Sequence, residues 1–220
     1  MISAVVPTLN EAGRIGALVA TLREQVDEVI VSDGGSTDGT AANAAQAGAR
    51  VVTGSAGRGA QLDRGAAHAS GDRLWFVHAD STPSVGSGAA LRGAVGPWGC
   101  FRTRIASRDV RLLLTGWVMT QRAVRTGTCT GDMGIWADRC FYERVGGFGP
   151  LPALEDLAFS DRARAIAPAE VLAPVLETSA RRWTERGVTR TMLQMWMIRL
   201  GYRVGIDPMR LSRGYHPVST

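Results

Sequence analysis

Glu28-Val29-Ile30-Val31-Ser32-Asp33-Gly34-Gly35-Ser36-Thr37-Asp38-Gly39-Thr40 changes character along its length. Glu28–Ser32 is a short apolar run rich in β-branched residues, the pattern of a buried strand. Asp33 to Gly39 is a polar, turn-forming cluster, and from Thr40 to Ala47 the chain is alanine-rich and helical. Strand, polar turn and helix make half of a βαβ crossover. Upstream, Ile2–Pro7 is a second apolar run, and Ile15, Leu18, Val19 and Leu22 then follow the i, i+3, i+4, i+7 spacing of an amphipathic helix. Downstream, Arg50–Thr53 reads as a strand, Gln61–Ala69 as a helix, and Arg73–Val77 as a strand ending at His78-Ala79-Asp80. This alternation predicts an α/β fold, with a Rossmann-like, mainly parallel sheet flanked by helices.

The second half is less regular. Trp98–Ile105 reads as a strand and Asp109–Val124 as a helix with a wide apolar face. Cys129–Trp136 reads as extended. Asp138–Val145 is a short helix stopped by Gly146-Gly147, and Glu155–Ile166 is a helix ending before Pro168. Val188–Val204 reads as amphipathic and is rich in methionine and tryptophan. Repeats and linkers are absent from the sequence, so the expectation is one domain over residues 1–220. Within it, residues 1–95 form a nucleotide-binding half, 96–185 an acceptor and catalytic half, and 186–220 a C-terminal helix and tail.

Composition narrows the function. The chain has 220 residues, of which 45% are hydrophobic, enough for a sizeable core, so disorder is excluded. The formal charge is +5, and all 25 basic residues are arginine. They are dispersed, with only Arg181 and Arg182 adjacent, so there is no basic stripe of the kind a nucleic-acid binder shows. Scattered guanidinium groups suit phosphate-bearing small molecules. Three cysteines, no CxxC pair and no signal-peptide pattern predict a reduced, cytoplasmic protein. No stretch is apolar enough to span a bilayer. Without lysine there is no P-loop, and Gly57-Arg58-Gly59 lacks the third glycine of a dinucleotide fingerprint. The cysteines and His68, His78 and His216 show no zinc spacing.

In an open parallel sheet, ligands bind beyond the carboxyl ends of the strands. Three polar clusters fall at such ends: Pro7-Thr8-Leu9-Asn10-Glu11, Asp33 to Thr40, and His78-Ala79-Asp80-Ser81. Each alone is readable as a turn with a helix cap, but their coincidence points to a site. The first two clusters resemble the opening of family 2 glycosyltransferases of the GT-A fold, which reads P-x-x-N-E and then V-x-D-x-S-x-D-x-T. Gly57-Arg58-Gly59 with Gln61, Arg64 and Gly65 is similar to the family's basic helix. His78-Ala79-Asp80 stands where the family carries D-x-D, and Glu155-Asp156 where it carries E-D. The resemblance covers roughly residues 1–165. Gly131-Asp132, Gly146-Gly147-Phe148 and Ser179–Trp183 further resemble a small standalone branch associated with arsenosugar and radical-SAM clusters.

The resemblance implies transfer of a sugar from a nucleotide-sugar, a UDP-sugar by expectation, to an acceptor hydroxyl with inversion. It implies a hexosyltransferase-like enzyme assisted by Mg²⁺ or Mn²⁺. Asp33 would accept from the base N–H, and Thr8 and Glu11 would hold the base edge and ribose. Pro7, Asn10, Gly35, Ser36, Asp38, Gln61 and Ala79 would complete the donor site. Arg58 and Arg64 would meet the diphosphate. Asp80 is the metal ligand in this reading. His78 replaces the family's first aspartate, leaving three roles open to it: a ligand, a phosphate donor or a strand cap. Asp156 would be the general base with Glu155 beside it, and Gly131, Asp132, Arg182 and Trp183 would contact the acceptor.

Met192, Trp196 and Met197 read as core packing. The other reading is a peripheral membrane surface or a homodimer contact through the C-terminal helix, helped by Arg190, Arg199 and Arg203. Two rival functions are a sugar-phosphate nucleotidyltransferase and a catalytically decayed nucleotide-sugar-binding protein. The first would need a glycine-rich basic loop after strand one, which Thr8–Glu11 is not. Only the His78 substitution favours the second.

Overall fold

The computed structural model describes residues 1–151 and 153–212. His216 and the end of the tail assigned to residues 186–220 lie outside the described residues. The first apolar run forms β1 (Ile2–Thr8), followed by α1 (Ala12–Arg23), β2 (Glu28–Asp33), α2 (Thr40–Gln46), β3 (Arg50–Thr53), α3 (Arg58–His68) and β4 (Arg73–Phe76). The four strands are parallel and lie in the order β3-β2-β1-β4, as βαβ crossovers require. β1 and β2 are buried almost throughout, which accounts for their continuous apolar sequence. α1 covers one face of the sheet through Ile15, Leu18, Val19 and Leu22, the residues its spacing marks.

Beyond β4 the sheet changes direction. The elements are β5 (Ser81–Pro83), α4 (Ser87–Gly93), β6 (Trp98–Ala106), α5 (Val110–Thr126), β7 (Trp136–Asp138), α6 (Arg139–Val145), α7 (Glu155–Arg164) and β8 (Glu170–Ser179). Three further helices follow: α8 (Arg181–Arg186), α9 (Val188–Arg203) and α10 (Pro208–Ser212). β7 joins β4 antiparallel, β6 pairs antiparallel with β7 and parallel with β8, and β5 closes the edge on β8. The result is a mixed, mostly parallel α/β sheet flanked by helices.

Several sequence expectations are revised. Cys129–Trp136 is not one extended run. A 3-10 turn occupies Gly131–Met133, and only Trp136–Asp138 is strand. α3 begins at Arg58, not Gln61, so Arg58 sits in its first turn. β8 and the short β5 and α4 add elements that the composition did not announce. The reading of Met192, Trp196 and Met197 as core is corrected. Met192 packs against a small cluster of Ile105, Leu112, Ala180 and Trp183, but Trp196 and Met197 are 69% and 57% exposed. α9 runs along the margin of the molecule and turns only one narrow face, with Thr191, Ile198 and Gly201, to the interior.

Candidate active site

The sheet order places the carboxyl ends of β2, β1 and β4 side by side, and the three polar clusters meet there. Two of them are stitched together. Asn10, at φ 53°, donates its backbone N–H to Ser36 Oγ at 2.8 Å, and its Oδ1 accepts from Thr37 N at 3.0 Å. Glu11 N donates to Thr40 Oγ1 at 2.8 Å, and Ala12 N to Asp38 Oδ2 at 3.0 Å. Gly39, at φ 90°, admits the left-handed turn that begins α2. Asp33 is buried and accepts from Gly35 N (3.0 Å), Ser36 N (2.9 Å), Ser36 Oγ (2.5 Å) and Thr8 Oγ1 (3.3 Å). In this arrangement Asp33, Ser36 and Asp38 shape the loops, and Gly35 gives one of them its turn.

α3 locks the same loops from beneath. Gln61 Nε2 donates to Thr8 O at 2.7 Å and Ser32 O at 2.9 Å. Arg64 reaches Ser32 Oγ at 3.1 Å and Asp33 O at 3.0 Å, so its guanidinium clamps β2 here. Above them lies a cleft of about 370 Å³ lined by Pro7, Thr8, Asn10, Glu11, Arg58, Gln61, His78, Ala79 and Asp80 from the N-terminal part of the chain. Asp132, Arg182 and Trp183 line the opposite side. Asp33, Gly35, Ser36, Asp38, Arg64, Gly131, Glu155 and Asp156 are not among the residues that line it.

The side that carries Asp132 is built on charge. His78 Nδ1 lies 3.4 Å from Asp132 Oδ1. A Cβ at residue 131 would collide with the His78 ring, so only glycine lets the turn approach. Burial pushes the Asp132 carboxyl up, but the His78 hydrogen bond and the charges of His78, Arg182 and Arg58 outweigh it and hold the group well below its ordinary value. Asp156, in the first turn of α7, accepts from Gly131 N at 2.9 Å and Leu157 N at 2.8 Å. Glu155 is 1% exposed, with Oε1 3.5 Å from Arg58 and Oε2 without a hydrogen-bond partner among the described residues. Burial and the neighbouring Asp156 charge raise its pKa, while Arg58 opposes the shift.

Asp80 lines the cleft, and no described residue donates a hydrogen bond to its carboxylate. No group of three or more His, Cys, Asp or Glu with metal-binding geometry exists among the described residues. That donor set does not cage a cation by itself. It fits the Mg²⁺ and Mn²⁺ mode, in which one carboxylate shares the ion with substrate phosphate oxygens and water.

Sequence reasoning missed Arg181. Its Nη2 donates to Glu11 Oε1 at 3.0 Å, joining the start of α8 to the end of β1 across the cleft. The adjacent pair Arg181-Arg182 was the visible signal. Its meaning depended on β8, which carries the pair back to the site.

Residues 3–87 match the family described as Glycosyl transferase family 2. That segment is similar to family 2 glycosyltransferases. The chain is 40% identical over 92 residues to a glucosyl-3-phosphoglycerate synthase of Mycolicibacterium smegmatis, a match covering 36% of this chain and 30% of the relative. The chain therefore matches under a third of that relative's length. A crystal structure of the Mycobacterium tuberculosis glucosyl-3-phosphoglycerate synthase with Mn²⁺, UDP and glucosyl-3-phosphoglycerate is similar, at TM-score 0.55 and 25% identity. The likeness covers 81% of this chain and 70% of that one. S. aureus TarS 1-349 in complex with UDP shares the fold alone, at TM-score 0.65 and 19% identity, over 81% of this chain and 60% of that one. The fold is GT-A.

Proposed function

We propose that the protein transfers a sugar from a UDP-sugar to an acceptor hydroxyl with inversion at the anomeric carbon. The observation that carries this reading is the single cleft. It gathers Pro7 to Glu11, Arg58 and Asp80 from one half of the chain and Asp132, Arg182 and Trp183 from the other. The solved glucosyl-3-phosphoglycerate synthase complex, which contains UDP and Mn²⁺, supports the donor class. The absence of a glycine-rich basic loop after β1 argues against nucleotidyl transfer.

Thr8 and Glu11 border the nucleoside end of the donor, and Arg58 and Arg182 bring cationic donors toward its diphosphate. Asp80 would hold Mg²⁺ or Mn²⁺, which, when bound, neutralises charge gathering on the leaving diphosphate. Asp156 accepts the proton of the acceptor hydroxyl as its oxygen bonds to the anomeric carbon. The bond to the diphosphate breaks, and UDP leaves with the electron pair. A second reading gives the proton to Asp132. One observation speaks for it: Asp132 lines the cleft, while both Asp156 oxygens already accept backbone N–H groups.

UDP release from a panel of UDP-sugars with Mn²⁺, with water or added hydroxyl compounds as acceptor, tests the scheme. Asp156→Asn is expected to lower turnover by roughly 10²-fold or more and to leave UDP affinity within about twofold. Retained turnover in Asp156→Asn with loss in Asp132→Asn transfers the base to Asp132. If UDP and the UDP-sugars do not bind at all, the glycosyltransferase reading falls.

A further inference from the structure

α5 has two apolar faces. Leu112, Gly116, Met119 and Ala123 turn to the interior. Val110, Leu113, Leu114, Trp117, Val118 and Val124 recur at the spacing of a second face, and each is between 40% and 75% exposed. α9 repeats the pattern. Leu193, Trp196, Met197 and Leu200, with Val204 just past its end, share one face at 57% to 69% exposure. The two stripes adjoin, since Leu114 and Val118 of one and Trp196 and Leu200 of the other line a single concavity between the helices. An apolar surface shared by two helices differs from the scattered exposed residues of an ordinary surface and marks a site of contact. The charge of the same elements has one sign. α5 carries Arg111, Arg122 and Arg125, α9 carries Arg190, Arg199 and Arg203, and α10 carries Arg210, and none of the three helices contains an acidic residue. The acids nearby come from outside these helices. Asp109 pairs with Arg111 at 2.7 Å, Asp161 pairs with Arg164 at 2.8 Å, Asp156 acts on Arg122, and Asp207 accepts from Met209 N at 2.9 Å. Long-range attraction follows the summed charge of a face, so these pairings lessen it without reversing its sign.

We propose that this face docks on the surface of an anionic lipid bilayer. The stripes of α5 and α9 enter the boundary between headgroups and acyl chains, and the arginines of the same helices meet the lipid phosphates. No described helix is long and apolar enough to cross a membrane, so the contact is one of surface. Tryptophan on both helices suits that boundary, and an arginine can lay its stem along apolar surface while its guanidinium stays in water. A second copy of this chain is the poorer occupant. A two-fold interface sets the same face against itself, and here it would bring arginines to arginines with no acid on α5 or α9 to answer them. The inference stands apart from the proposed sugar transfer, because it needs neither donor nor acceptor.

Sedimentation of the full chain with unilamellar vesicles is the test. Vesicles of phosphatidylglycerol and phosphatidylcholine in equal parts are the probe, and vesicles of phosphatidylcholine alone are the neutral control. The expected result at about 0.1 M salt is partitioning at least tenfold stronger onto the anionic vesicles, most of it lost at about 0.5 M salt. Trp117→Gln/Trp196→Gln removes apolar surface at two exposed positions, and Arg190→Gln/Arg203→Gln removes charge at two others. None of the four residues lines the donor cleft. Each pair of substitutions is expected to weaken partitioning tenfold or more with the thermal melt unchanged. No partitioning, or equal partitioning onto the neutral vesicles, overturns the inference. Indifference to the tryptophan pair also overturns it, since adsorption would then be by charge alone. A dimer that the tryptophan pair dissociates, without vesicle binding, overturns it in favour of a self-interface. UDP binding is measured on the same samples, so failure of the donor reading is seen separately from failure of the docking.

Discussion

Glu155 carries a charge that the fold tolerates poorly. Arg58 approaches one oxygen at 3.5 Å, while the other is buried without a partner among the described residues. Because its folded pKa is raised, the native state favours the protonated acid. Its stabilising contribution is therefore complete below the ordinary value of 4.5 and is lost as pH rises through the raised one. Glu155→Gln keeps the shape and removes the charge. It is expected to raise stability by about 1–3 kcal/mol at pH 8 and to change little at pH 4. Thermal melts at the two pH values check this, and a gain that is equal or larger at pH 4 refutes it. Asp132 has the opposite sign. Its lowered pKa means that stability from the His78 pairing is present above the ordinary 3.8 and is lost as pH falls below it. The sequence marked Glu155 and Asp132 by resemblance. Their partners Arg58 and His78 could not be assigned to them, because the pairings cross elements far apart along the chain.

At the scale of elements, the turn after Cys129 decides where Asp132 stands. Gly134 closes it at φ 60°, and a Cβ there would lie 2.9 Å from Leu176 Cδ2 and 3.0 Å from Trp75 Nε1. Gly134→Ala combines a left-handed backbone with contact against β8 and β4, so it is expected to destabilise by about 1–3 kcal/mol in chemical denaturation. A neutral result would mean that the turn relaxes freely and does not fix Asp132. The same region explains which elements were legible beforehand. β1, β2 and β4 are buried, uninterrupted apolar runs, and the crossovers between them are long enough to announce helices. β8 hides behind Pro174, which argues against a strand. The structure accommodates the proline at an irregularity, where the register with β6 slips between Phe101 and Arg102. The extended reading of Cys129–Trp136 failed for a related reason. Its alternating composition is that of a turn whose apolar members Met133 and Ile135 enter the core without pairing as strand.

For the molecule as a whole, the sheet joins a parallel N-terminal part to a mixed C-terminal part at the β4–β7 pairing, and the cleft lies where both contribute side chains. The ion pair of Arg181 with Glu11 and the approach of His78 to Asp132 both join residues from the two parts of the chain. A donor filling the cleft would add contacts to both halves that the unfolded chain lacks, so it would stabilise by mass action. UDP at a hundred times its dissociation constant is worth about 2.7 kcal/mol. For a chain of this size that is roughly 5–10 °C in Tm. If the cation is shared between Asp80 and the diphosphate, Mn²⁺ without UDP should move the melt little, since no described group of three ligands holds it. UDP with Mn²⁺ should exceed UDP alone, and Asp80→Ala should erase that excess while leaving the metal-independent shift. A metal-independent UDP shift that is already maximal would remove Asp80 from the diphosphate. A Mn²⁺ shift without nucleotide would demand a protein site that these side chains do not form.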